Sequence, residues 1–337
     1  MGRRARYAGT HPRRFAEKYK ELAPDRYPEI VERVRDRGAT PAGQHVPILV
    51  REVLQVLEPR PGQRGIDATL GYGGHAARLL AAVDPGGALL GLDTDPLELP
   101  RTVARLRAAG ANEVAFVALH ATFAGLGRAL ARAGWDGADF VLADLGVSSM
   151  QLDDPARGFS FAEDGPLDMR MNPQRGATAA TWLATTPVER LALALGDYAD
   201  EPQAERVARA LDARRGSIAT TAGLADAVRA ALADTDPDER ERAVRRVFQA
   251  VRIATNDELG ALEAFLRELP YVLRPGGRAA VIAFHSGEDR RVKAAFARGA
   301  GEGLWTDTCR RPVRAAADEI RANPRARSAK LRWARRA

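Results

Sequence analysis

Predicted strands alternate with segments of helical spacing between residues 64 and 144, and this alternation constrains the fold more than any other feature. The strands are predicted at residues 64–67, 88–93, 114–119 and 140–143. Strands separated by helices pair in parallel, because each helix returns the chain to the end of the sheet where the next strand starts. The sequence therefore predicts an α/β fold with a doubly wound parallel sheet.

The alternation stops after Asp154 and resumes about a hundred residues later. Residues 178–252 have the pattern of consecutive helices, and a helix at 257–273 then leads into a strand at 278–284. We therefore expect a helical insertion in an α/β domain. The expected bounds are a basic N-terminal extension at 1–44 with one helix at 28–37, an α/β domain at 45–157 and 245–337, and an inserted helical domain at 158–244.

The composition excludes several classes of protein. The chain has one cysteine, Cys309, which is too few thiols for an internal disulfide or a structural zinc site. Its five histidines lack the spacing of metal ligands, so we expect no metal. It has no apolar run that approaches the length of a membrane span, and no signal peptide is recognisable. We therefore expect a cytoplasmic protein.

Positive charge is concentrated at the two ends of the chain. Residues 1–20 hold seven Arg or Lys and one Glu, and residues 320–337 hold seven Arg or Lys and no acid. These ends sum to +13, so with a net charge of +7 the remainder is about −6. Basic ends on a mildly acidic body favour a polyanionic partner such as nucleic acid. A bias in base composition, which also enriches Arg and Ala, is the alternative explanation.

A glycine-rich loop follows the first predicted strand. Residues 71–76 fit the pattern G-x-G-x-x-G/A, in which glycines let backbone amides approach a ligand. Asp93 ends the next strand and is placed to accept hydrogen bonds from ribose hydroxyls. The pair predicts a nucleoside-containing cofactor, either a nicotinamide dinucleotide or S-adenosylmethionine. His75 could contact the ligand or pack, and Phe123 could cover an adenine ring or belong to the core.

The strand at 140–143 runs into Asp144 and then into a turn that carries Ser148, Ser149 and Gln151. Because ligands of open α/β sheets lie at the carboxyl ends of strands, this turn is predicted to form the floor of an active site. The alternative is a capped turn with no catalytic role. There is no Walker A sequence and no G-x-S-x-G elbow, so nucleotide hydrolysis and acyl transfer are not expected. Direct displacement at an activated methyl carbon remains, and it needs positioning above all.

Several motifs of the chain, in order over residues 45–334, resemble the RsmH (MraW) family of bacterial small-subunit rRNA methyltransferases. They include His45-Val-Pro-Ile-Leu, Asp67-Ala-Thr-Leu-Gly-Tyr-Gly-Gly-His, Asp144-Leu-Gly-Val-Ser-Ser, Gln151-Leu-Asp-Asp-Pro-Ala-Arg-Gly-Phe-Ser-Phe, Gly165-Pro-Leu-Asp-Met-Arg-Met, Phe248-Gln-Ala-Val-Arg-Ile, Asn256-Asp-Glu-Leu, Phe284-His-Ser-Gly-Glu-Asp-Arg and Asn323-Pro-Arg-Ala-Arg-Ser. Members of this family methylate N4 of a cytidine in the decoding centre.

The resemblance implies a class I (Rossmann-like) methyltransferase fold whose inserted helical domain recognises the substrate. It implies S-adenosyl-L-methionine as cofactor and 16S rRNA in the small ribosomal subunit as partner, with no membrane and no metal; a homodimer stays open. By position, the family's cofactor contacts fall on Gly73, Gly74, His75, Asp93, Phe123, Asp144 and Gln151.

The sequence departs from the family at Tyr72, Met150 and Gly287, and in the run Tyr198-Ala-Asp-Glu-Pro-Gln. The last departure lies in the insertion and favours a second hypothesis, a ribosome-assembly factor that binds cofactor and RNA with weak turnover. A nicotinamide-dependent oxidoreductase is a third, supported only by the glycine loop and Asp93.

The candidate catalytic residues are Asp144, Ser148 and Ser149 at one strand end and His285 after another. Alternatively, Ser286 caps the following helix, with Asp289 at its third position, and His285 only packs. Asp168 and Arg170 are expected to form an ion pair that fixes the insertion to the α/β domain.

Overall fold

A seven-stranded sheet forms the centre of the computed structural model, which describes residues 47–337 apart from the side chain of Ser149. The N-terminal extension and its predicted helix lie outside the described residues. The strands are β1 (Arg64–Asp67), β2 (Ala88–Asp93), β3 (Phe116–His120), β4 (Ala138–Asp144), β5 (Leu273–Ala283), β6 (Trp305–Thr308) and β7 (Lys330–Arg336). They lie in the order β3-β2-β1-β4-β5-β7-β6.

The five strands from β3 to β5 are parallel, and β7 runs antiparallel to both β5 and β6. This arrangement confirms the predicted α/β class I fold. The chain moves outward from β1 to β3 and then crosses to β4 on the other side of β1. Loops therefore diverge between β1 and β4, and such a switch point is where open α/β sheets bind ligands.

Helices cover both faces of the sheet and form a separate bundle after β4. They are α1 (Val50–Leu57), α2 (Gly74–Val83), α3 (Glu98–Ala108), α4 (Leu126–Arg132), α5 (Ser149–Asp153), α6 (Ala179–Thr185), α7 (Val188–Ala199), α8 (Ala204–Asp212), α9 (Thr221–Ala231), α10 (Pro237–Asn256), α11 (Glu258–Val272), α12 (Ser286–Gly301) and α13 (Ala317–Ala322). Within residues 47–337, no helix is long and apolar enough to cross a membrane.

The strand β4 shows why the central strands consist of uninterrupted apolar residues. Phe140 and Leu142 pack into the cluster that contains α1 and α2, whereas Val141 and Ala143 pack into the cluster on the opposite face, with α4 and α11. All four side chains are fully buried. A strand covered on both faces cannot place a polar residue before its end, so the first polar side chain, Asp144, appears at the carboxyl edge.

The helices after β4 have a hydrophobic core of their own. Residues from α6 to α10 form it together with Phe159, Leu167 and Met169. The predicted boundary at residue 245 falls inside α10, whose Val251 belongs to this core and whose Ile253 belongs to the core beneath the sheet. The division into an α/β domain and an inserted helical domain at the expected bounds therefore stays a prediction.

Several elements differ from the sequence prediction, among them α5, which was expected to be a turn, and β5, which begins five residues earlier than expected. The helix expected over 121–133 is split into a 3-10 turn at Phe123–Gly125 and α4, because the side chain of Thr122 caps the turn. Strand β6 and helix α13 were not predicted. Both are short and contain charged residues, so they lack the periodicity that identifies longer elements.

Arg157 and Asn256 attach the loop after α5 to the rest of the structure. The Arg157 guanidinium pairs with the buried Asp95 carboxylate at 2.9 Å and donates to the carbonyl oxygens of Arg170 and Met171. The Asn256 side chain accepts from Met171 N and donates to Met169 O.

The expected ion pair between Asp168 and Arg170 is present, with Nη2 and Oδ2 2.6 Å apart. Both residues belong to the same loop, however, so the pair stiffens that loop and links it to nothing else. The attachment predicted for this pair is provided by Arg157 and Asn256.

We expect Arg157→Met to destabilise the protein on the order of 3 kcal/mol, because it removes the cation from a buried carboxylate. The side chain of Asp95 is 2% exposed and that of Arg157 is 12% exposed. Urea denaturation would measure the loss. The matched control is Arg206→Met, which breaks the exposed pair with Asp234 and should cost less than about 1 kcal/mol. Equal losses in the two variants would contradict the assigned role of Arg157.

Candidate active site

The glycine loop between β1 and α2 is held against its neighbours by backbone contacts. Asp93 Oδ2 accepts a hydrogen bond from Gly71 N at 2.7 Å, and Thr102 Oγ1 donates to Gly71 O at 2.6 Å. Gly73 has φ +82°, and a Cβ on it would lie 2.9 Å from the Thr102 methyl group. A side chain is therefore excluded at Gly73, and the loop presents its backbone at the carboxyl edge of the sheet.

A second contact fixes the orientation of the Asp93 carboxylate. Its Oδ1 accepts from Asp95 N at 2.8 Å, so each carboxylate oxygen is engaged by one backbone N–H. Burial raises the pKa of Asp93 to about 6. Each oxygen keeps a further lone pair, which leaves Asp93 able to accept from ligand hydroxyl groups.

Tyr72 and Arg105 form a contact that sequence reasoning missed. The Arg105 guanidinium stacks 3.6 Å from the centre of the Tyr72 ring, and its Nη2 donates to Tyr72 O at 3.3 Å. Residue 72 is one of the positions where the sequence departs from the family, and the stack shows how the larger side chain is accommodated. The two residues are 33 apart in the chain, so nothing in the sequence pairs them.

Asp144 faces His75 across the switch point. His75 lies in the first turn of α2, and its Nε2 is 3.6 Å from Asp144 Oδ2. Asp144 N donates to Thr69 Oγ1 at 2.6 Å, which fixes the end of β4 beside the loop after β1. The structure thus brings together two of the predicted site residues. Asp144 Oδ1 is buried and makes no hydrogen bond within the described part of the chain.

Asp67 is a second buried carboxylate at this point, and the sequence analysis did not select it. It ends β1, is 1% exposed, and accepts from Thr69 N through Oδ1, while Oδ2 makes no hydrogen bond to any described residue. Burial raises the pKa of Asp67 to about 7. The sequence does contain a feature that points to Asp67, because it is a polar residue that ends a buried strand directly before the glycine loop.

The charge of Asp67 affects the ionisation of Asp144. Burial, with a further contribution from Asp67 and Glu288, raises the pKa of Asp144 to about 8. Neighbouring acids in a region of low dielectric resist ionisation, because neither water nor a cation offsets their charge. Near neutral pH this pair therefore favours protonated forms until a positively charged group binds.

The Ser148 hydroxyl is engaged in the structure of α5. Ser148 Oγ accepts from Gln151 N at 3.2 Å, and Gln151 Oε1 accepts from Ser148 N at 3.0 Å, which is a capping box. Gln151 Nε2 donates to Asp95 Oδ2 at 3.0 Å. Both side chains therefore hold α5 in place beside the site. The structure does not describe the side chain of Ser149.

His285 precedes α12 and contacts a buried acid. Its Nε2 is 3.2 Å from Glu288 Oε1, and Glu288 Oε2 accepts from Phe284 N at 2.8 Å and from His285 N. Burial opposes ionisation of Glu288, but its contacts with His285, Arg252 and Phe284 N together outweigh burial and keep the pKa of Glu288 below its ordinary value. Glu288 thereby fixes the end of β5 and the orientation of His285.

The alternative in which Ser286 caps α12 is wrong. Ser286 lies inside the first turn, and its hydroxyl contacts Asp200 at the end of α7. Asp289 pairs with Arg332 and Lys330 of β7 instead of capping the helix. The capping position belongs to His285, because the chain leaves β5 one residue earlier than the pattern suggested.

Phe123 lies directly after β3 in the 3-10 turn and is partly buried. Its ring meets Phe265 of α11 edge to face, with the ring centres 5.7 Å apart. The contact anchors the turn to the core beneath the sheet, and the contact of Phe123 with a cofactor stays a prediction.

The arrangement fits a ligand that carries positive charge and hydroxyl donors. Asp67, Asp93 and Asp144 present acceptor oxygens around the glycine loop, and His75 closes one side. In this cluster no described residue is an activated nucleophile. The chemistry that fits is therefore the binding and orientation of a cationic ligand, as direct displacement requires.

Comparison with known proteins places this geometry in a family. Residues 42–337 match the model of the MraW methylase family. The chain is 44% identical to Ribosomal RNA small subunit methyltransferase H 1 of Lachnoclostridium phytofermentans, over 98% of this chain and 92% of the relative. It is 45% identical to Ribosomal RNA small subunit methyltransferase H 2 of Alkaliphilus metalliredigens, over 98% and 97%.

The same comparison extends the similarity into the N-terminal extension. Only about 2% of this chain lies outside the alignment with each of these relatives, and residues 1–44 are a much larger share of the chain. Ribosomal RNA small subunit methyltransferase H of Sorangium cellulosum, 46% identical, covers 87% of this chain and 91% of its own. The extension is thus shared with some relatives, although it lies outside the motifs that carry the resemblance.

We expect Asp144→Asn to stabilise the protein at about pH 9 and to have little effect at about pH 4, near the ordinary pKa of an aspartate side chain. The pKa of Asp144 is about 8 in the folded protein, above its ordinary value of 3.8. Such a group contributes stability that is fully present below the unfolded pKa and is lost as pH rises through the folded pKa. The gain at high pH should be about 1 to 3 kcal/mol.

Thermal denaturation at several pH values would measure this difference, with Asp307→Asn on the exposed face of β6 as control. A stability difference between Asp144→Asn and the parent chain that stays constant with pH would contradict the buried-acid account.

Proposed function

The chain belongs to the MraW methylase family, and on that premise we propose that it methylates N4 of a cytidine in the decoding centre of 16S rRNA, with S-adenosyl-L-methionine as methyl donor. The partner is small-subunit rRNA, and we place the reaction in the cytoplasm. A homodimer is compatible with this activity.

The observation that carries the proposal is the pair of carboxyl groups at the switch point, Asp67 and Asp144, each of which has one buried oxygen that makes no hydrogen bond within residues 47–337. S-adenosylmethionine carries an ammonium group, a sulfonium and ribose hydroxyls. Asp67 and Asp144 supply acceptor oxygens and negative charge for the cationic groups, and Asp93 supplies acceptors for the ribose. A cation that binds there lowers the pKa of both buried acids, so the protein recovers the cost of their burial when the cofactor binds.

The proposed cofactor contacts keep the positions that the family resemblance gave. Gly73 and Gly74 offer backbone at the start of α2, and His75 borders Asp144. Gln151 has a more indirect part in this scheme, since its amide already engages Asp95 and Ser148. It holds α5 against the loop that follows β2.

Held by Asp67, Asp93 and the glycine loop, S-adenosylmethionine would supply an electrophilic methyl carbon for transfer to the cytidine N4 amine. We propose that Asp144, as a carboxylate, accepts a hydrogen bond from the amine and aims its lone pair at the methyl group. The methylated nitrogen must then lose a proton. Asp144 is a suitable acceptor because burial has already raised its affinity for a proton.

His285 is proposed as a second group near the amine. It follows β5, the strand next to β4, and Glu288 fixes its orientation. Ser148 is less suited to a chemical role because its Oγ caps α5. Ser149 stays a candidate on the sequence alone.

The helical insertion is proposed to recognise rRNA around the target. Its departure from the family, Tyr198–Gln203, is integrated into the structure. Asp200 contacts Ser286 and Arg290 of α12, and the buried Glu201 pairs with Arg246 of α10. The departure therefore retains a link between the insertion and the start of α12, where His285 lies.

The deciding experiment measures methyl transfer from labelled S-adenosylmethionine to small ribosomal subunits that lack the modification, with product nucleosides identified by mass. The parent chain should form N4-methylcytidine, and Asp144→Ala should reduce kcat by at least about a hundredfold, because it removes the group that orients the amine. The exposed variant Asp307→Ala should retain full activity.

Binding of cofactor and rRNA without any transfer would reject the enzyme and favour an assembly factor. Transfer to a different base or nucleotide would reject the proposed position.

A further inference from the structure

Residues 310–327, called here the arginine segment, lie at the same edge of the sheet as the active site. β7 is antiparallel to β5, and its first residue, Lys330, pairs with Ala283 at the carboxyl end of β5. The residues just before Lys330 are therefore at that edge. Arg325 Nη2 lies 3.4 Å from Asp153 Oδ1 in α5, two residues from Gln151, which confirms the placement.

The backbone of the arginine segment is fixed. Val313 and Leu331 exchange two backbone hydrogen bonds of 2.9 Å. Asn323 accepts from Arg325 N and caps the 3-10 turn Pro324–Ser328, in which Ala326 is 1% exposed. This turn contains most of the motif Asn323–Ser328, to which neither the cofactor site nor the proposed chemistry gives a role. Because Ala326 points into the core, the backbone holds the arginines on either side of it at fixed positions.

The charge of this segment is largely uncompensated. Five of its arginines are exposed and form no ion pair within residues 47–337: Arg310, Arg311, Arg314, Arg321 and Arg327. Its two acids are Asp318 and Glu319, and Glu319 accepts from Leu49 N at 2.7 Å. By contrast, the neighbouring Lys330 and Arg332 both pair with Asp289. Lys330 and Arg332, which support the fold, are thus paired, whereas five of the six arginines of the segment face solvent.

We propose that the arginine segment binds the sugar–phosphate backbone of the rRNA that flanks the target cytidine. This inference rests on the proposed function. A base that reaches Asp144 must enter at the carboxyl edge, and its neighbouring phosphates then remain outside, on the side where the segment lies. Guanidinium groups bind phosphate through two parallel hydrogen bonds, so fixed, unpaired arginines suit this partner.

The test is the salt dependence of binding to unmodified small-subunit rRNA by the triple variant Arg314→Gln, Arg321→Gln, Arg327→Gln. Each lost phosphate contact should reduce the slope of log K against log salt by about 0.7 to 0.9. The triple variant should therefore lose about 2 in slope and on the order of tenfold in affinity at physiological salt. Its affinity for S-adenosylmethionine without RNA should equal that of the parent chain.

The matched control is Arg128→Gln, Arg132→Gln, Arg267→Gln, which removes three exposed arginines from α4 and α11 that also lack ion pairs among residues 47–337. It should leave the slope unchanged. An unchanged slope in the triple variant, or an equal loss in the control, overturns the proposal. The proposal is also overturned if the parent chain binds phosphatidylglycerol vesicles, the triple variant does not, and the two bind rRNA with the same slope.

The two proposals fail in different ways. Suppose that the triple variant has a smaller slope than the parent chain, but the parent chain forms no N4-methylcytidine. The proposal for the arginine segment is then supported, and the proposed reaction is rejected. If methylation proceeds and the slope does not change, the reaction stands and the segment falls.

Discussion

The burial of Asp67 and Asp144 next to each other is the constraint on which the site depends. Each ends a strand that is covered on both faces, so each carboxyl group sits where water cannot fully solvate it. Burial raises the pKa of both groups, and the charge of Asp67 raises that of Asp144 further. The arrangement opposes folding at high pH and becomes favourable when a cation binds between the acids, so stability and ligand affinity are coupled through the same two residues.

The rest of the carboxyl edge keeps these acids in place. Asp93 is held by the backbone of the glycine loop and of its own turn, and Asp95 behind it pairs with Arg157 and Gln151. Through Arg157 the same network reaches the loop after α5, and through Asn256 it reaches α10. The site is therefore built on rigid strand ends, and its polar groups are positioned by contacts that themselves are mostly buried.

The distribution of charge along this edge of the sheet serves function as well as stability. The acids face inward around the glycine loop, where a cationic cofactor fits. Most of the arginines that border them in the loop before β7 face outward and have no acid partner among residues 47–337. An inner acidic pocket and an outer basic segment suit a reaction that joins a positively charged methyl donor to a polyanionic substrate, since each partner meets the charge opposite to its own.

The sequence alone determined the sheet, the glycine loop and Asp144. Local features of the sequence predict these three elements: an apolar run of strand length, glycines before a helix, and a polar residue where burial ends. The parallel, doubly wound arrangement follows from the same alternation, because a helix between parallel strands leaves few ways to connect them. The class I architecture was implied by the family resemblance.

Only the tertiary structure decided which side chains act together. Asp67 joined the site because β1 and β4 are neighbours in the sheet, although their last residues, Asp67 and Asp144, are 77 positions apart in the chain. Ser286 contacts Asp200 because the end of α7 packs against the start of α12. These outcomes depend on contacts between distant segments. A sequence pattern records the period and burial of one segment at a time, and so cannot contain them.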